Sequence, residues 1–141
     1  MTFNSPAKPR LVELIKQLAV VHGRVTLSSG IEADYYVDLR RATLHHEAAP
    51  LIGRVILDLL DHAQITDFDA VGGLTMGADP ILAAVLTIAG LNGRDLRGFI
   101  VRKESKDHGT GKLVEGPLVP ESKVLIVEDV ATSGEIGRAH V

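Results

Sequence analysis

The 141-residue sequence has no cysteine and no tryptophan, and aromatic residues make up only 4% of it. Without cysteine there is no disulfide scaffold, no thiolate zinc site and no cysteine nucleophile. The scarcity of rings argues against a surface that stacks the bases of single-stranded nucleic acid. Long hydrophobic runs are also missing. The longest apolar stretch, 81–91, covers about half a membrane span and is interrupted by Thr87 and Gly90. Neither charge dominates: 15 Lys plus Arg stand against 18 Asp plus Glu, a net charge of −3 that suits neither a nucleic-acid arm nor an acidic tail. Residues 1–10 mix polar groups with two prolines and lack the apolar centre of a secretory signal. A cytoplasmic, non-membrane domain is expected, and the 45% hydrophobic content is enough for one core.

Periodicity supplies the order of elements. Leu11, Leu14, Ile15, Leu18 and Val21 form one helical stripe between Pro6 and His22, with Gly23 placed as a left-handed stop. Two β-rich runs, Val25–Leu27 and Tyr35–Leu39, flank the polar turn Ser28-Ser29-Gly30. A second helix is expected over Glu47–His62 and a buried strand over Ala70–Gly73. Asp79-Pro80 supplies an N-cap and a first-turn proline for a helix through Leu91. A strand at Gly98–Arg102, a polar loop over 103–116 and a last strand at Lys123–Val127 complete the reading. Continuous apolar runs such as Val124-Leu125-Ile126-Val127 suit strands covered on both faces. The expected fold class is therefore α/β, a parallel sheet flanked by helices.

The chain stops where the helix after that last strand is due to begin. Residues 135–141, Glu-Ile-Gly-Arg-Ala-His-Val, carry no apolar stripe and match the translation of a common sequencing adapter. We expect residues 1–134 to be a single, incomplete domain and 135–141 a non-native tail. A sheet ending on a central strand leaves an open edge, so poor activity is expected of the chain by itself.

Three segments carry chemistry. The run from Val124 to Gly134 delivers two acids, Glu128 and Asp129, at a strand's C-terminal end, followed by the small-residue turn Val130-Ala131-Thr132-Ser133-Gly134. Open α/β sheets bind ligands at that edge, and successive backbone N–H groups in such a turn form a nest for a phosphate. Vicinal hydroxyls of a sugar can donate to the paired acids. A magnesium-binding acid pair of the receiver-domain kind, or a plain polar strand end, are the competing readings. The second segment, Arg102 to Lys112, clusters Arg102, Lys103, Lys106 and His108, and residues 94–112 hold a local +3 within the −3 chain. That focusing favours a polyanion, and Gly109 and Gly111 allow a lid; a solvated charged loop is the alternative. Gly109-Thr110-Gly111-Lys112 is not a nucleotide P-loop, since neither Ser nor Thr follows the lysine. The third segment, Gly72 to Pro80, reads as a backbone anion cradle or as an ordinary strand–helix connection. The histidines His22, His45, His46 and His62 suit surface or capping roles better than metal ligation, and no residue is assigned to a metal.

Taken together these residues resemble a known family. The strand leading into Glu128–Gly134 resembles the phosphoribosyl diphosphate motif of type I phosphoribosyltransferases. Arg102-Lys103-x-x-Lys106-x-His108-Gly109 resembles the flexible-loop signature of the orotate phosphoribosyltransferases. Thr26-Leu27-Ser28-Ser29-Gly30 with Asp34-Tyr35-Tyr36-Val37-Asp38 resembles their N-terminal hood, here mainly residues 1–40. The resemblance covers about residues 10–134. It implies transfer of phosphoribose from 5-phosphoribosyl 1-diphosphate to orotate in pyrimidine nucleotide (UMP) biosynthesis, with Mg2+ as cofactor. It further implies a homodimer whose lids reach into the partner's site.

By resemblance, Arg102, Lys103, Lys106 and His108 contact the diphosphate, with Lys106 the catalytic residue. Glu128 and Asp129 take the ribose hydroxyls, and Val130, Ala131, Thr132, Ser133 and Gly134 wrap the 5′-phosphate. Thr132 also touches orotate, and the backbone near Tyr36 lines the base pocket. Ser28 and Met76 stand where some members carry lysines, and an arginine for the orotate carboxylate would lie beyond this sequence. Another base-specific phosphoribosyltransferase, or a regulator that binds the diphosphate without catalysis, is the alternative.

Overall fold

The computed structural model describes residues 2–104 and 111–130. Helix α1 spans Lys8–Leu18, starts with a proline in its first turn and buries Leu11 and Leu14. It ends before the expected Gly23. The residues past Leu18 include the β-branched Val20 and Val21, which prefer a pleated surface, and they begin strand β1, Val20–Thr26. Gly23 has φ +139° within the strand, where the register shifts between His22 and Val25. That glycine therefore serves a β-bulge, not a helix stop. β1 pairs antiparallel with β2, Glu32–Val37, and the pair forms a separate two-stranded sheet.

A single turn α2, Arg40–Thr43, leads to α3, Ala48–His62. Then follow β3 (Ala70–Leu74), α4 (Asp79–Leu91), β4 (Arg97–Val101), β5 (Val114–Glu115) and β6 (Val124–Ile126). The second sheet has the order β5-β4-β3-β6. β4, β3 and β6 are mutually parallel as expected, whereas β5 adds an antiparallel edge inside the segment read as a polar loop. Two residues are too few for a periodic signal, so the sequence could not announce β5.

β3 is the spine of this sheet: Ala70, Val71, Gly72 and Gly73 are all buried. Val71 packs with Leu82, Val85 and Ile88 of α4 and with Leu57 and Leu60 of α3. The two helices approach closely because position 53 is glycine; a Cβ there would lie 2.7 Å from the Ala84 carbonyl carbon. On the sheet's other face Ala70, Phe99 and Val101 meet Val114, Leu118, Val124 and Ile126. β6 is only half-buried despite its apolar run, because it pairs with β3 alone among the described strands. A third cluster joins α1 to α2 and α3 through Leu11, Leu14, Ala42 and Ala48.

Candidate active site

Three parallel strands place their C-terminal ends on one edge, so the segments following β3, β4 and β6 meet there. The Val127 amide donates to the Gly72 carbonyl at 2.9 Å, and the Thr75 amide donates to the Val101 carbonyl at 2.9 Å. These two bonds tie the β3 exit to both neighbours. Beyond Val127, Glu128 and Asp129 are half-buried. The Asp129 carboxylate lies against Gly77: a Cβ built on that glycine would sit 2.6 Å from the Asp129 Cγ. Glu128 Oε1 is buried without a hydrogen-bond partner among the described residues. A buried acceptor of this kind is costly unless something donates to it. Paired acceptors at a sheet edge suit vicinal hydroxyl donors.

The turn between β3 and α4 differs from the expectation in detail. Asp79 does not cap α4. Ala78 holds the N-cap position in helical conformation, and Asp79 is the first helical residue. The turn ahead of it is already coiled, with Ala78 N–H donating to Leu74 C=O and Asp79 N–H donating to Met76 C=O, both at 3.1 Å. The Asp79 carboxylate instead accepts from the Thr75 hydroxyl at 2.7 Å, and its Oδ1 is buried without a partner among the described residues. The amides of Ala78 and Asp79 are thus engaged inside the turn and that of Thr75 by β4, leaving Met76 and Gly77 as the candidate donors of the cradle. The Thr75–Met76 peptide is cis.

At the end of β4, Arg102 is half-buried and held on both sides of the chain's return. Its amide donates to the Leu113 carbonyl at 2.8 Å, and its Nε and a terminal guanidinium nitrogen both lie 2.8 Å from Glu115 Oε1. Hydrogen bonding to Glu115 raises the guanidinium pKa further above its ordinary value, so Arg102 is a permanent cation. Lys103 is exposed. Lys106 and His108 lie outside the described residues, as do Ala131, Thr132, Ser133 and Gly134. Val130, the last described residue of the turn expected to hold a phosphate, is exposed.

Of the expected site, the structure therefore brings Asp129 against the 72–80 turn, with Glu128 next to it in the chain and Arg102 and Lys103 following the adjacent strand. The Thr75–Asp79 pair and the Gly77–Asp129 contact escaped sequence reasoning. A Thr and an Asp four apart across a strand exit were the only signal for the first. His45 does cap: its Nδ1 accepts from the amides of Glu47 and Ala48, at 3.2 and 3.4 Å, at the start of α3. His22 is in β1 and not near a helix end, and His62 ends α3 with its ring 5.6 Å from that of Phe3. No cluster of three or more metal-ligating side chains occurs among the described residues. None of their helices is long and apolar enough to cross a membrane.

No protein-family model matches the chain. It is 60% identical over 124 residues to an orotate phosphoribosyltransferase of Streptomyces avermitilis, covering 88% of this chain and 66% of that relative. It is 53% identical over 133 residues to the orotate phosphoribosyltransferase of Corynebacterium glutamicum, covering 94% of this chain and 69% of that one. The chain belongs to the orotate phosphoribosyltransferase family.

Among solved structures, an orotate phosphoribosyltransferase of Mycobacterium tuberculosis H37Rv in complex with Fe(III) dicitrate superposes with a TM-score of 0.79 at 51% identity, over 96% of this chain and 74% of that one. The same enzyme in complex with 5-phospho-α-D-ribosyl 1-diphosphate gives 0.75 at 46% identity, over 96% and 72%. The family fold thus extends over nearly all of this chain, including the sheet edge that carries Glu128, Asp129 and Arg102. The chain spans about two thirds of the length of the Streptomyces orotate phosphoribosyltransferase, 66%.

Proposed function

We propose that this chain serves the transfer of phosphoribose from 5-phosphoribosyl 1-diphosphate to N1 of orotate, releasing pyrophosphate, in cytoplasmic pyrimidine nucleotide synthesis. The observation that carries the proposal is the packing of Asp129 against the β3–α4 turn, together with the buried oxygen of the preceding Glu128, which has no partner among the described residues. That arrangement gives a ribose two acceptors next to a turn with spare amides, and family membership supplies the substrate class.

In the reaction the bond from ribose C1 to the diphosphate oxygen breaks, and a bond from C1 to orotate N1 forms. The electron pair leaves with the diphosphate, and orotate's acidic ring proton is lost to solvent. Positive charge grows on the ribose as negative charge grows on the leaving group. Glu128 and Asp129 hold the hydroxyls and orient the ring. Arg102, Lys103, Lys106 and His108 meet the diphosphate, and fixed cations are worth most where charge develops. Residues Val130 to Gly134 wrap the 5′-phosphate, with Thr132 also reaching orotate. The single domain of residues 1–134 acts as a homodimer with lids shared between subunits.

The donor set fits magnesium held largely through substrate oxygens. Glu128 and Asp79 each bring a hard carboxylate with a buried oxygen that has no partner among the described residues, and magnesium at phosphates is usually held by one or two carboxylates together with substrate oxygens. When bound, the ion neutralises the charge of the diphosphate.

Calorimetry with magnesium, on the chain extended to its relatives' full length, is expected to show heat when 5-phosphoribosyl 1-diphosphate is titrated in. No heat would sink the proposal. A pyrophosphate-release assay across a panel of bases is expected to favour orotate; binding without release on any base points to a regulator. Lys106→Ala is expected to lower kcat roughly a hundredfold or more, and unchanged turnover removes Lys106 from its role.

A further inference from the structure

Three glycines of the β3 exit lie within six residues, and the structure gives them different reasons to be glycine. A Cβ on Gly72 would meet the Phe99 ring at 2.6 Å as well as the Phe99 carbonyl oxygen. A Cβ on Gly73 would meet the Val127 carbonyl oxygen and, at 2.7 Å, the Ala78 Cβ. Both obstacles include backbone of the neighbouring chain segments, β4 for Gly72 and the residue just past β6 for Gly73, so these two glycines serve the sheet. The obstacle at Gly77 is of another kind: its nearest neighbours are Oδ1, Cγ and Oδ2 of Asp129. Gly77 is also absent from the residues at positive φ. Its backbone is open to any L-residue, so the turn itself does not demand glycine. What demands it is the carboxylate.

We propose that Gly77 is a positioning residue for Asp129: by lacking a Cβ, it lets the carboxylate rest on the β3–α4 turn, at the angle from which it accepts a ribose hydroxyl. The inference rests on the reading of Asp129 as a ribose-hydroxyl acceptor. An added methyl displaces the carboxylate by side-chain rotation, because a carboxylate end moves more cheaply than backbone. The loss then appears in ligand affinity and not in the fold. The Thr75–Asp79 hydrogen bond pins the same turn, so the turn is the firm partner and Asp129 the one that yields.

The test is a double-mutant cycle of Gly77→Ala and Asp129→Ala on the chain extended to its relatives' full length. Its readouts are calorimetric affinity for 5-phosphoribosyl 1-diphosphate with magnesium, and the KM of each substrate. Gly77→Ala is expected to weaken the diphosphate substrate about tenfold, the scale of coupled neighbours. The KM of orotate stays where it was. In the Asp129→Ala background the same glycine change is expected to cost less than about twofold, since its obstacle is gone. Equal costs in both backgrounds, or an unchanged affinity in Gly77→Ala while Asp129→Ala binds weakly, overturns the proposal. Should Gly77→Ala fail to fold, the carboxylate has not yielded and the proposal is overturned. Asp129→Ala without effect withdraws the hydroxyl role of Asp129 and this inference with it. No binding by the unaltered chain instead defeats the functional reading itself.

Discussion

The four-stranded sheet and the β1–β2 hairpin are built from similar residue types and end in opposite states. In β3 every residue but the last is buried, and α4 packs directly over it. In β2 the consecutive residues Tyr35, Tyr36 and Val37 are all exposed, at 58%, 38% and 47%. Because adjacent strand residues point to opposite faces, neither face of the hairpin's end is covered. A two-stranded ribbon is marginal in water unless something packs on it. The difference shows where this chain places its rigidity: the edge carrying Glu128, Asp129 and Arg102 is anchored to a packed core, whereas the hairpin is tied mainly to α1.

Substitutions can break or sharpen that contrast. The largest loss is expected from Gly73→Ala, which drives a methyl into the Val127 carbonyl just past β6 and into Ala78 at the N-cap of α4. A stability decrease of about 3 kcal/mol or more by denaturant titration is expected, and a neutral result would mean that the sheet relaxes as freely as the hairpin. Leu57→Ala, in the seam between α3 and α4, is expected to cost roughly 2–5 kcal/mol, read as a lower midpoint at unchanged slope. Tyr35→Ala in the hairpin is expected to stay within about 0.5 kcal/mol; a cost matching Leu57→Ala would show that the ring is packed, and the contrast would fall. The smallest effect concerns the outer face of α1.

There Arg10 donates to Glu47 from Nε at 2.7 Å and from a terminal nitrogen at 2.9 Å. Hydrogen bonding by Arg10 holds the Glu47 carboxyl below its ordinary value of 4.5, the nearby charges of His45 and His46 adding to it. A carboxyl depressed in the folded state lends stability above its unfolded pKa and loses it as pH falls through the folded one. Glu47→Gln should therefore lower the melting temperature slightly at pH 7 and flatten its fall on acidification below about pH 4.5. Both partners are substantially exposed, so added salt should shrink the difference.

Most of the sheet was legible beforehand because its signals are local. The helix over Asp79–Leu91 and the strand starting at Ala70 appear where periodicity and the Asp-Pro pair put them. The first helix was overextended through Val21, since the apolar spacing continued while the backbone preference had already changed to strand. The acids of the site could be named from a strand's end, and so could Arg102. Their partners could not. Asp79 looked like a cap, and only the coiled turn ahead of it turned its carboxylate to Thr75. Glu115 gave no hint that it would clasp Arg102, thirteen residues away, across a two-residue strand.

The order of residues by itself determined the α/β class, the parallel strands and the placing of carboxylates and cations at strand ends, because hydrophobic period and turn chemistry act within a few positions of the chain. The tertiary structure alone decided which glycine faces which neighbour, which acid oxygen has no donor among the described residues, and that both faces of the hairpin's end stay bare. Those depend on distances between segments far apart in sequence, set by the packing of β3 between β4 and β6, and no local pattern encodes a distance of that kind.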